Sequence, residues 1–279
     1  MKVLVTGADG QLGKALMRCK SEKYEICGYT QAMCNVTDAA RVYKIIGKEK
    51  PGIVIHCAAY TAVDRAETEP EICRAVNVEG TKHVLAACKQ FDTAFMLLST
   101  DYVFSGEGTE PYHVDEAPKP LNQYGISKMQ AELLTTQWEK HYIVRTSWMF
   151  GEGSNFVKTI CALAQKKNTI SVVADQIGSP TYAEDLAPML LRLASGKPYG
   201  IYHVTNEGFC SWAEFAQYIV HTKGLPAQIQ SVTSEEYSSK AVRPHNSRLS
   251  KNCLTSVGLQ RLPPWQDAVT RYLHEMGEI

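Results

Sequence analysis

Apolar residues along the chain alternate between short β-branched runs and longer stretches at helical spacing, the pattern of strands and helices taking turns. Lys2 to Thr6 is the first such run, and Leu12, Ala15 and Leu16 then fall on one face of a helix. Tyr24 to Thr30 reads as a second strand, Ala39 to Lys48 as a helix capped by Thr37 or Asp38, and Ile53 to Cys57 as a continuous apolar strand of the kind buried in a parallel sheet. Pro70 opens a long helix from Glu71 to Gln90, with Val76, Val84, Leu85 and Cys88 inward. Phe95 to Ser99 is a central strand, a helix starts near Asn122, and Tyr142 to Thr146 is a further strand. The pattern then loosens: Phe156 to Gln165 is amphipathic, Ile170 to Ala174 a short strand, and Asp175 to Thr181 a polar loop. Ala183 to Ala194 is helical, Ile201 to Thr205 a strand, Ser211 caps a helix through Val220, and Trp265 to Glu275 forms the last helix.

This order predicts an α/β fold, a doubly wound parallel sheet of Rossmann type with a smaller, mostly C-terminal α/β region. Residues 1–151, with 183–205 packing back onto them, form the expected dinucleotide-binding part. Residues 152–182 and 206–279 mainly form the part facing a substrate. The chain has 279 residues, ample for a buried core, and its 29 Lys plus Arg balance 29 Asp plus Glu. Such neutrality implies no general nucleic-acid field. No signal peptide or membrane span is read. Nine cysteines without a C-x-x-C pair fit a reducing cytoplasm, and no ligand-spaced cluster suggests a metal site.

The chemistry concentrates at strand ends. Gly7, Gly10 and Gly13 follow the first strand and open a helix, spaced G-x-x-G-x-x-G with Gln11 and Leu12 between the last two. Gly7 permits the tight turn, Gly10 lets backbone approach a pyrophosphate, and Gly13 lets helix and strand pack closely. The end of the second strand, Gly28-Tyr29-Thr30-Gln31, carries neither an acid for a ribose hydroxyl nor an arginine for a 2′-phosphate, so NADPH and NADH both remain open. Asn35 and Val36 are placed to contact adenine, and Ala58, Ala59 and Tyr60 are small or flat enough for a cofactor to lie across them. His56 is read as a packed residue at a strand end. Asn77 lies at an apolar-facing phase of its helix, where its amide serves neighbouring backbone or the cofactor site.

Thr100-Asp101-Tyr102 ends the central strand, at the edge where open α/β sheets bind ligands. Tyr124 and Lys128 stand one helical turn apart, so an ammonium can stand beside a phenol. A free phenol titrates at about 10, and a nearby cation favours the phenolate, which makes Tyr124 a candidate acid near neutral pH.

These residues resemble the extended short-chain dehydrogenase/reductases and, within them, the dTDP-4-dehydrorhamnose reductases. The resemblance rests on Gly7 to Gly13, Ala58-Ala59-Tyr60-Thr61, Ala66-Glu67, Asn77, Ser99 to Phe104, Tyr124-Gly125-x-x-Lys128, Arg145-Thr146-Ser147-Trp148, Gln176 through Thr181 and Arg243-Pro244-x-x-Ser247. It implies hydride transfer from a nicotinamide to the C4 ketone of a nucleotide-linked 4-keto-6-deoxyhexose, in rhamnose synthesis for surface polysaccharide. Tyr124 then protonates the alkoxide, Lys128 tunes Tyr124 and holds the nicotinamide ribose, and Thr100 hydrogen-bonds the reacting oxygen. Asp101, Tyr102, Trp148, Asn155, Phe156, Gln176 and Arg243 are the implied contacts to sugar and nucleotide.

Some relatives bind Mg²⁺ at a dimer interface through acids, one just after the glycine turn. Here Lys14-Ala15 stands there, so Mg²⁺ is doubtful and a monomer or a homodimer is expected. Two competing readings are another nucleotide-sugar reductase, epimerase or dehydratase of the same superfamily and a non-catalytic cofactor-binding regulatory subunit resembling that of methionine adenosyltransferase. Dehydratases place Glu after Thr-Asp, where this chain has Tyr102; intact Thr100, Tyr124 and Lys128 favour an enzyme.

Overall fold

In the computed structural model, which describes residues 1–277, six parallel strands form the central sheet. They are β1 (Lys2–Thr6), β2 (Glu25–Tyr29), β3 (Ile53–His56), β4 (Ala94–Thr100), β5 (His141–Thr146) and β6 (Gly200–His203). Their order is β6-β5-β4-β3-β1-β2. The chain winds one way from β1 to β2 and the other way from β3 onward, so the switch point lies between β1 and β3. Cofactor-type turns therefore belong at Gly7 and Cys57, and the alternation read from sequence arrives at this topology.

Both faces of the sheet are covered, as the unbroken burial of β3 and β4 requires. Val3, Val5, Met96 and Val144 pack against Leu12 and Leu16 of helix Gln11–Arg18 and Leu186 and Leu190 of helix Ala183–Ala194. Leu4, Val54, Phe95 and Leu97 face Val42 and Ile46 of helix Ala39–Glu49 and Val84 and Leu85 of helix Gly80–Gln90. Each such side chain, fully buried, contributes about 1.5–3 kcal/mol. Asp38 is the cap: its carboxylate accepts from Arg41 N at 3.0 Å.

A second core gathers Phe150, Val157, Ile160, Phe215, Ile219, Trp265 and Leu273. Here helices Phe156–Ala164, Trp212–Thr222 and Trp265–Glu275 surround two parallel strands, Thr169–Val173 and Gln228–Val232. Beyond Gln228–Val232, the stretch leading to helix Trp265–Glu275 does not stay with this core. Leu254 and Leu262 pack into the main sheet's core, and Leu249 joins Val103, Phe104 and Tyr112.

Two other features differ from the sequence pattern. The helix expected from Glu71 to Gln90 contains a π turn at Ala75–Glu79 between Pro70–Arg74 and Gly80–Gln90. One extra residue in the ladder re-aims the side chains there, which apolar periodicity alone cannot signal. The polar loop 175–181 also carries two-residue strands, Ile177–Gly178 and Thr181–Tyr182.

Behind the central strand lies a buried ion pair. Arg145 donates from Nη2 to Glu132 Oε2 at 2.7 Å and from Nε to Oε1 at 3.0 Å, while Ser99 Oγ donates to the same Oε1 at 2.5 Å. Replacing Glu132 with Gln leaves a buried guanidinium without its counter-charge. The Glu132→Gln protein is expected to lose about 3–5 kcal/mol in chemical denaturation; a loss under 1 kcal/mol would show that the pair is dispensable. Among the described residues no helix is long and apolar enough to cross a membrane.

Candidate active site

The glycine turn is built for close approach. Gly7 has φ +67°, and a Cβ there would lie 2.7 Å from Ala58 N, so the turns after β1 and β3 touch through backbone. A Cβ on Gly13 would lie 2.2 Å from Gly7 O. Helix Gln11–Arg18 starts with no side-chain cap and no acid in its first turn, leaving its first N–H groups and positive dipole end to an anion. Gln11 adds a buried Oε1 without a partner among the described residues. The turn thus fits a dinucleotide pyrophosphate.

Beside it lies a cleft of about 530 Å³. Gly7, Gly10, Gln11, Leu12, Gly13 and Ala59 line one side, and Thr100, Asp101, Tyr102, Tyr124, Lys128 and Trp148 line the other. Thr100 ends β4, accepting from Tyr102 N at 3.1 Å and donating from Oγ1 to Asp101 Oδ1 at 2.9 Å. Asn122 caps helix Gln123–Thr135 by accepting from Gly125 N at 2.8 Å. Gly125 lets that helix meet the strand-end turn, since a Cβ would lie 2.2 Å from Tyr102 O. The Tyr102 and Tyr124 rings consequently meet edge to face, 5.8 Å apart.

The electrostatics differ from the simple pairing expected of Tyr124 and Lys128. Lys128 Nζ donates to Leu98 O at 2.6 Å, and burial lowers its pKa to about 8 against the opposing pull of Glu132, one turn along. Burial, reinforced by the Asp101 carboxylate, pushes the Tyr124 phenol up, with the Thr100 hydroxyl opposing. Tyr124 is therefore held as a phenol with its proton in place. Burial also raises Asp101 to about 6, although the Ser247 and Thr100 hydroxyls favour its carboxylate. His56 is the packed residue expected: buried, within 2.7 Å of Thr6 Oγ1 through Nδ1, and lowered by burial to about 3.

A smaller cavity of about 250 Å³ adjoins through Trp212 and includes Phe156, Gln176 and Arg243 in its wall. Gln176 Nε2 donates to Ser234 Oγ at 2.9 Å, and Arg243 is paired with Asp64. Asn155 lines neither cavity. Its Nδ2 is spent on Gly151 O, Gly153 O and Tyr272 Oη, and its Oδ1 accepts from Lys158 N as a helix cap. Its amide is thus fully engaged within the fold.

Other expected cofactor contacts also lie outside the cleft lining. Asn35 accepts from Thr37 N, and Val36 is buried against Gly80. Ala58 touches the glycine turn by backbone. Asn77, on the π turn, accepts from Tyr60 N at 2.8 Å and donates to Tyr60 O and Ser127 Oγ, so its amide clamps the β3 loop to the Tyr124 helix. Trp212 is a wall residue that the sequence reading passes over. It stacks on Trp148 at 3.7 Å, and Trp148 in turn sits over Gly178, where a Cβ would meet its ring at 2.7 Å. Only the cap at Ser211 marks this region in sequence.

The model of a family described as RmlD substrate binding domain matches residues 1–278. A dTDP-4-dehydrorhamnose reductase of Streptomyces griseus is 38% identical over 277 residues, covering 96% of this chain and 91% of its own. The chain belongs to the dTDP-4-dehydrorhamnose reductase family. A family structure from Bacillus anthracis, in complex with NADP, is 39% identical with a TM-score of 0.95, covering 98% of this chain and 99% of that one. The spore coat polysaccharide biosynthesis protein SpsK of Bacillus subtilis is 43% identical over 277 residues, 98% of this chain and 97% of its own. Membership in this reductase family agrees with a nicotinamide-type turn facing a threonine, tyrosine and lysine.

Among the described residues no group of three or more His, Cys, Asp or Glu is arranged to hold a metal. Lys14, just after the glycine turn, pairs with Glu152 at 2.7 Å.

Proposed function

We propose that this chain reduces the C4 ketone of dTDP-4-dehydro-L-rhamnose to the alcohol of dTDP-L-rhamnose, in the cytoplasm, as a monomer or homodimer. The carrying observation is that Tyr124, Thr100 and Lys128 share one cleft with the glycine turn. A nicotinamide held there supplies the hydride when bound. Tyr124 Oη delivers the proton to the developing alkoxide, so the C=O bond gains one hydride and one proton. Burial keeps that proton on Tyr124 until an oxygen more basic than the phenolate arrives.

Thr100 Oγ1 turns from Asp101 to the same oxygen and stabilises its charge. Lys128, charged below about pH 8, stabilises the phenolate that Tyr124 becomes, and it would hydrogen-bond the ribose of a bound nicotinamide cofactor. The stacked Trp148 and Trp212 form an apolar wall that excludes water from the sugar. Phe156, Gln176 and Arg243 suit the nucleotide side of the substrate, Arg243 because a guanidinium fork matches a diphosphate. Residues 1–151 with 183–205 act as the cofactor part, and residues 152–182 with the second core of 206–279 as the substrate part.

The test is loss of absorbance from NADPH, and separately NADH, with enzymatically generated dTDP-4-dehydro-L-rhamnose. Turnover to dTDP-rhamnose is expected, and the ratio of rates gives the cofactor preference. No turnover with either cofactor, despite tight cofactor binding, would favour a regulatory subunit or another keto-sugar.

A further inference from the structure

Arg243 is already committed in this structure. Its Nη1 donates to Asp64 Oδ1 at 3.1 Å and its Nη2 to Asp64 Oδ2 at 2.6 Å, a bidentate pair between residues 179 positions apart. Nη1 also reaches Ala241 O at 3.3 Å, and the Tyr102 hydroxyl is a further partner of the guanidinium. The two-pronged edge that would grip a diphosphate is thus taken by a carboxylate, which presents two oxygens in the same plane.

Asp64 lies on the short helix Val63–Ala66, directly after the Thr61 and Val63 that line the main cleft. It also accepts from Ala241 N at 3.1 Å, so one carboxylate holds both Arg243 and the strap that carries it. From the strap's other end, Ser234 donates to Asp175 from N and Oγ. The strap therefore runs between an acid of the cofactor part and an acid of the substrate part, with Arg243 beside Tyr102 where the two cavities meet. Asp64 is 45% exposed and Arg243 21%, so the pair is wet enough for an incoming anion to compete.

We propose that Asp64 sets the affinity for the substrate's diphosphate by occupying the anion-binding edge of Arg243, from which the diphosphate displaces it. This rests on the reductase reading above and on Arg243 being the diphosphate contact. Asp64 is a specificity residue: an incoming group must outcompete a carboxylate, which a dianionic diphosphate does and a neutral nucleoside or free sugar does not.

The experiment compares wild-type and Asp64→Asn proteins, full length, by calorimetric titration with dTDP and with thymidine, and by KM for the keto-sugar. Removing the competing charge should tighten dTDP binding about 5-fold and lower KM by a similar factor, with thymidine and NADPH binding unmoved. In an Arg243→Gln background the Asp64 substitution should have no effect on dTDP, a dependence that a merely structural role would not produce. Should Asp64→Asn fail to fold, Asp64→Ser carries the same test. Unchanged or weaker dTDP binding in a folded Asp64 variant would overturn the proposal, since Asp64 would then orient Arg243 rather than compete for it. Wild-type protein that neither binds dTDP nor turns over the keto-sugar would instead overturn the reductase reading itself.

Discussion

Tyr124→Phe should lower kcat by about 10²–10⁴-fold while leaving NADPH affinity within a factor of about two. The substitution removes one oxygen and keeps the ring, and with it the edge-to-face packing on Tyr102. Burial and Asp101 hold the phenol protonated, so the wild-type protein enters the reaction with its proton available across the neutral range. In the variant, water cannot replace that proton without entering a cleft walled by Trp148 and Trp212. Single-turnover rates and a fluorescence titration with NADPH separate the two effects. A variant with more than about a tenth of wild-type kcat would remove Tyr124 from the role of acid.

Lys128→Met is expected to produce the opposite responses in activity and stability. The ammonium is buried and donates to Leu98 O, and its pKa falls from the ordinary 10.5 to about 8. Losing a charged hydrogen bond to the cofactor should weaken NADPH binding about 10- to 100-fold and lower kcat as well. For stability the sign runs the other way. Between about pH 8 and 10.5 the unfolded chain holds the Lys128 proton and the folded chain does not, so this residue makes stability rise with pH across that window. Below about pH 8 the burial penalty is fully present. Replacing Lys128 with Met removes it, at the cost of the Leu98 hydrogen bond, and should raise stability at pH 7 by about 1–2 kcal/mol. Wild-type turnover should decline as pH rises through about 8, when Lys128 loses its charge. Denaturation midpoints and a pH–rate profile check both signs; a destabilised Met variant with intact cofactor binding would mean Lys128 is structural only.

The elements that position the site were legible because their signals are local. A β-branched run ending in Gly7, and a central strand ending in Thr100, announce strand ends directly, and Tyr124 and Lys128 share a helix face by spacing alone. What the sequence concealed is contact between distant segments. Asn155 is the same residue type whether it caps a helix or touches a sugar, and only the positions of Gly151, Gly153 and Tyr272 decide for the cap. Asn77 reaches Tyr60 and Ser127 through a π turn that apolar periodicity does not register. Trp212 becomes a wall residue because Trp148, held at φ +48° over Gly178, offers it a face. The Tyr124 pKa went the other way from expectation because Lys128 points to Leu98 O and burial outweighs any neighbouring cation.

The most direct test is isotopic. NADPH carrying deuterium at the nicotinamide C4, pro-R and pro-S in separate reactions, would be turned over with dTDP-4-dehydro-L-rhamnose and the sugar product examined by NMR and mass spectrometry. One of the two labelled cofactors should place deuterium at C4 of dTDP-L-rhamnose, with the hydroxyl proton drawn from solvent through Tyr124. A product without label at C4 from either cofactor, or label at another carbon, would contradict reduction of the C4 ketone at this site.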